Sequence, residues 1–127
     1  MSRPVADLRG IHVLLIDDDQ SARHFLRSVL ELSGAIITAT SAVDAIRAAL
    51  LADVIVCDLA SAEAADGEFL ERLRHLHVRQ GRRVPAIALV ARGLRDARVR
   101  APGFQRYLAK PVDANELRAA LLEQSGR

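Results

Sequence analysis

The sequence predicts an α/β fold with a parallel sheet, on three observations. Five short runs of apolar, often β-branched residues alternate with stretches of helical periodicity. Charged groups stand directly after three of those runs: Asp17-Asp18-Asp19, Asp58 and Lys110. The length, 127 residues, is enough for one domain with a real core and too short for two. Strands joined through helices are expected to pair in parallel.

Taken in order, Met1–Gly10 reads as a polar surface leader containing Pro4, and residues 11–124 as the single domain. Ile11–Ile16 (I-H-V-L-L-I) is the first strand, apolar enough to be buried on both faces. Gln20–Leu32 carries Phe25, Leu26, Val29, Leu30 and Leu32 at helical spacing, and Ser33-Gly34 stops it. Ala35–Thr40 is a short strand. Ser41 followed by Asp44 looks like a helix start, with Val43, Ile46, Ala49 and Leu50 facing inward. Asp53–Cys57 is the third strand, with Asp58 at its carboxyl end. Beyond the Ala60–Ala65 loop, Asp66–Arg79 forms a helix using Phe69, Leu70, Leu73 and Leu76. Gly81 turns the chain into Val84–Val90, the fourth strand. Arg92–Ala101 has room only for a short helix before Pro102-Gly103. Phe104–Ala109 is the fifth strand, ended by Lys110-Pro111. Asp113-Ala114-Asn115-Glu116 approximates a capping box ahead of Leu117, Leu121 and Leu122.

Composition excludes several function classes. No apolar run approaches a membrane span, and no N-terminal stretch has signal-peptide form. The single cysteine, Cys57, rules out an internal disulfide and fits a reducing, cytoplasmic setting as a buried small residue. With no Trp, one Tyr and three Phe, there is no aromatic platform for stacking bases. Net charge is +2 but lopsided: residues 1–71 hold 5 Arg against 12 acids, whereas residues 72–106 hold 10 Arg against one Asp. Such a basic half is read as a solvated face or a protein-partner surface, not a nucleic-acid groove. His75 and His77 face apart at i and i+2, so no metal site is expected there.

The chemistry concentrates at the strand ends. Adjacent carboxylates repel, and a bound divalent cation removes that penalty. Asp17, Asp18 and Asp19 are therefore either metal ligands or caps of the next helix, although one Asp is enough for a cap. In open α/β sheets, ligands sit in the crevice outside the carboxyl ends of the strands. Of 18 basic residues, 17 are Arg, and the only lysine, Lys110, falls at one of those ends.

In this order and spacing, L-L-I-D-D-D, the D-L after the third strand, D-G at Asp66-Gly67 and Y-L-A-K-P-V-D resemble the receiver domain of two-component response regulators. The resemblance runs from Ile11 to Leu122, and the wording is most like receivers of hybrid sensor histidine kinases. It implies a flavodoxin-like (βα)5 three-layer sandwich with a five-stranded parallel sheet of order 2-1-3-4-5. By the same resemblance Asp58 is the phosphoacceptor, a carboxylate nucleophile forming an aspartyl-phosphate. Mg²⁺ is held by Asp17, Asp18, Asp58 and the carbonyl of Ala60. Lys110 and Ala91 bind the phosphoryl group, and the Lys110-Pro111 bond is cis. Val90 and Tyr107 occupy the switch positions. The implied partners are a sensor histidine kinase or phosphotransfer domain. A downstream protein would dock on the face of the fourth expected helix, fifth strand and last helix. Nucleic acid and membrane insertion are not implied, nor is catalysis as an enzyme.

Three features depart from the family pattern. Val90 stands where a Thr or Ser hydroxyl is usual; valine keeps the shape but cannot donate. The loop after Asp58 lacks the usual proline and is one residue longer, and the stretch before the fifth strand is about two residues short. The alternative reading is accordingly a phosphorylation-independent pseudo-receiver, an interaction module using its Arg-rich 72–106 surface.

Overall fold

The computed structural model describes residues 7–40, 52–59, 67–81, 83–91 and 103–125. Its elements are β1 (His12–Ile16), α1 (Gln20–Glu31), β2 (Ile36–Thr40), β3 (Val54–Asp58), α2 (Gly67–Arg79), β4 (Ala86–Val90), β5 (Arg106–Ala109) and α3 (Ala114–Gln124). The helices expected over 41–51 and 92–101 and the 60–66 loop lie outside the described residues.

The five strands form one sheet of order β2-β1-β3-β4-β5, and every neighbouring pair is parallel. This is the expected α/β sandwich. Side chains alternate between the two faces of a strand, so each face builds its own core. Val13, Leu15, Val54, Val56, Ile87 and Leu89 pack with Leu26 and Leu30 of α1 and Leu117 and Leu121 of α3. Leu14, Ile16, Ile55, Cys57, Ala86, Ala88 and Val90 pack on the other face with Leu73 of α2 and with Phe104. All residues of β3 and β4 are buried, as continuous apolar runs in a two-sided parallel sheet should be. The strand order reverses between β1 and β3, so the crevice opens between Asp17 and Asp58.

Strands begin one or two residues later than the sequence suggests, because the residues before them serve other bonds. Asp53 precedes β3, and its Oδ2 accepts the His12 N–H at 2.9 Å. Gln105 precedes β5, and its Oε1 accepts the Ala86 N–H at 2.7 Å. In α1, Leu26 and Leu30 at i, i+4 form the buried stripe, whereas Phe25 (61% exposed) and Leu32 (85%) face solvent. Leu32 is the C-cap residue, past the last helical turn. Helical spacing alone therefore overstated the inward face.

The leader is not wholly a surface segment. Leu8 is fully buried in the α1–α3 core, and its N–H donates to the Ser33 carbonyl at 2.9 Å. Gly34, at φ +92°, lets Arg9 approach; a Cβ there would lie 2.5 Å from Arg9 Cγ. Arg118 of α3 closes the same corner from the other side, donating from Nε to Ser33 Oγ at 2.7 Å. Leu8→Ala should cost about 2–5 kcal/mol in urea unfolding. Phe25→Ala on α1 should shift stability by less than about 0.5 kcal/mol.

Candidate functional site

β1 and β3 are neighbours in register, so their carboxyl ends carry Asp17 and Asp58 side by side. Both are buried, at 2% and 3% exposure, which is rare for carboxylates unless something compensates them. Asp58 is compensated by Lys110, whose Nζ donates to Oδ2. The lysine is placed by its backbone: its N–H donates to Val90 O at 2.8 Å, and the following bond to Pro111 is cis.

Asp17 is less well served. Its Oδ1 accepts the Asp19 N–H at 2.9 Å, but its Oδ2 is buried with no donor among the described residues. Burial raises the Asp17 carboxyl above the usual carboxylate range, and the neighbouring charge of Asp58 adds to the rise. The Asp19 amide and Lys110 oppose it without cancelling it. Lys110 thus bonds Asp58 directly and acts on Asp17 through its charge. The same burial and the surrounding acids push the Cys57 thiol up, so this cysteine is an inert core residue.

The three consecutive aspartates have separate surroundings. Asp19 is the α1 N-cap, with Oδ1 accepting from Ser21 N at 2.9 Å and Ala22 N at 3.2 Å. Asp17 turns inward to Asp58, and Asp18 stays exposed between them. Among the described residues no three His, Cys, Asp or Glu side chains are grouped to hold a metal. Among the described residues the structure brings together Asp17, Asp58 and Lys110; Asp18 is exposed on the same loop, its charge felt at Cys57, and Ala60 lies outside the described residues.

Val90 is 4% exposed at the end of β4, with exposed Ala91 after it. Tyr107 is half-buried on β5, packed against the α2-side core. Its ring meets Phe104 edge-on at 5.7 Å, and its Oη accepts the Phe104 N–H at 3.4 Å. One neighbour escaped the sequence reading. Arg23 of α1 donates from Nη1 to the Asp17 carbonyl at 2.9 Å, fixing the loop that carries the acids. No motif marks it, because the contact depends on the loop doubling back over the first helical turn.

The family profile described as "Response regulator receiver domain" matches residues 13–122. The chain belongs to that family. As a receiver domain it is a signalling module, in a family that interacts with histidine kinases or phosphotransfer proteins. It is 39% identical over 115 residues to an uncharacterized 14.6 kDa protein of the sodA1 3' region of Leptolyngbya boryana, covering 87% of this chain and 86% of that one. It is 35% identical over 117 residues to the KDP operon transcriptional regulatory protein KdpE of Escherichia coli, covering 87% of this chain and 49% of KdpE. The receiver domain thus spans about half the length of that regulator. Among solved structures, the receiver domain of sensor histidine kinase PA1611 from Pseudomonas aeruginosa superposes with a TM-score of 0.76 at 31% identity, covering 93% of this chain and 99% of that one. That structure has a magnesium ion coordinated in its active-site cleft. No helix among the described residues is long and apolar enough to cross a membrane.

Proposed function

We propose that this receiver domain accepts a phosphoryl group on Asp58 from the phosphohistidine of a sensor kinase or phosphotransfer domain, with Mg²⁺. The observation that carries this reading is the buried pair Asp17–Asp58 beside the Lys110 ammonium, with Asp17 Oδ2 left without a donor among the described residues. A small hard cation fits that donor set, and the residues to hold it are Asp17, Asp58, Asp18 on the same loop, and the carbonyl of Ala60. When bound, Mg²⁺ supplies positive charge that offsets the acids and the transferring oxygens.

The remaining work falls to side chains. An Asp58 oxygen forms the new O–P bond as the N–P bond to the donor imidazole breaks, and the imidazole leaves with that electron pair. Lys110 holds the Asp58 carboxylate before transfer and a phosphoryl oxygen after it, as a compact point charge. Ala91, small and exposed, leaves room for that group. The setting of this reading is the cytoplasm, and the output face is the one built around β5 and α3.

Incubating the full chain with acetyl phosphate and Mg²⁺, then measuring intact mass, tests the proposal. Phosphoryl mass should appear on the native chain, vanish with a chelator, and be absent from Asp58→Asn. Unchanged native mass, or equal labelling of Asp58→Asn, would overturn it.

Val90 favours a qualified output. Without a hydroxyl at this buried position, the phosphoryl oxygen loses a donor worth about 1.5–3 kcal/mol. The active conformer is then thinly populated and Tyr107 weakly coupled to Asp58. Val90→Thr should enlarge the phosphorylation-dependent amide shifts around β5 and α3; identical shifts in both proteins would count against weak coupling through Val90.

A further inference from the structure

A second concave feature lies at the end of the sheet opposite Asp58. A groove of about 360 Å³ opens between the last turns of α2 and the segments entering β4 and β5. Arg74, His77, Val78, Arg83, Val84 and Gln105 line it, with no carboxylate among them. Gln105 is oriented by its Oε1, which takes the Ala86 N–H at 2.7 Å, so its amide hydrogens are left as donors to the groove. Arg74 is likewise positioned, its Nη2 donating to the Gly103 carbonyl. Arg83 is exposed, His77 forms a buried wall, and Val78, 69% exposed, sets an apolar surface beside the cations.

This groove sits within the 72–106 stretch that holds 10 Arg against one Asp. We infer that it is a docking site for an acidic protein segment in which Asp or Glu side chains flank an aliphatic one. Carboxylates match the guanidinium and amide donors, and the aliphatic group covers Val78 and Val84. A nucleic-acid strand matches the charge but not the apolar floor, and among the described residues no aromatic side chain lines the groove to stack a base. The inference does not rest on the phosphoacceptor reading, because the groove and Asp58 lie at opposite ends of the parallel strands.

The test is fluorescence anisotropy of a fluorescein-labelled Glu-Glu-Leu-Glu-Glu-Leu-Glu-Glu peptide titrated with the full chain. Saturable binding is expected, weakening as salt rises from about 50 to about 200 mM. Arg83→Glu should weaken it about tenfold. Gln105→Glu should do likewise, since its carboxylate still accepts the Ala86 N–H but no longer donates. Arg27→Glu on α1 and Asp58→Asn should leave affinity unchanged, and circular dichroism confirms that each variant is folded. Absence of saturable binding overturns the proposal. So does an equal loss in Arg27→Glu, which marks diffuse attraction. Tighter, Arg83-dependent binding of a single-stranded oligonucleotide of equal charge overturns it in favour of nucleic acid.

Discussion

Replacing Lys110 with alanine is expected to slow phosphoryl acceptance from acetyl phosphate about a hundredfold or more. The ammonium is the cation that bonds Asp58, and Asp17 stands beside it with an unmatched oxygen. Electrostatic donors aimed at developing charge in a water-poor site are commonly worth about 10²–10³ in rate. Lys110→Arg should not restore the rate, because a planar guanidinium on a different stem cannot occupy the same point. Initial rates read by intact mass decide it, and a Lys110→Ala rate within about threefold of native would remove the lysine from the mechanism. The Lys110→Ala fold should still form, since 30% of the lysine side chain is exposed and water can partly replace it.

Asp17→Asn should stabilise the metal-free domain by about 1–3 kcal/mol and abolish stabilisation by Mg²⁺. The asparagine keeps an oxygen for the Asp19 amide and replaces the orphaned Oδ2 with a donor facing Asp58. The pH dependence has a definite sign. The folded state raises the Asp17 carboxyl above its ordinary value, so between the two values the native protein binds more protons than the unfolded chain. Stability therefore falls as pH climbs through that window, and the full cost of the buried charge is present above the raised value. The advantage of Asp17→Asn should accordingly be larger near neutral pH than near pH 4 in urea unfolding without divalent ions. An advantage that grows on acidification would contradict the sign.

Much of this was legible because strands and caps leave strong local signals. The apolar runs ending in Asp17 and Asp58 located the crevice, and the Asp113 cap appeared as read, its Oδ1 accepting from Asn115 N at 2.8 Å. What could not be read was anything set by distant packing. Leu8 stands in a short leader with no helical or strand period to announce that it fills the core. His77 stands at i+4 from Leu73 and is buried beside it, a burial that its residue type does not announce. Which of Asp17, Asp18 and Asp19 caps α1 was left open by the sequence: consecutive residues leave a strand end in different directions, and only the helix start decides that Asp19 turns back to cap it.

The corner at Ser33 has a consequence for how the domain comes apart. Its carbonyl is bonded to Leu8 near one end of the chain, and its hydroxyl to Arg118 near the other. The segment before β1 and α3 are thus fastened to a single turn, and releasing either one unseats part of the other's anchorage. Opening here is expected to be a joint event, with the segment around Leu8 and α3 released as one cooperative unit.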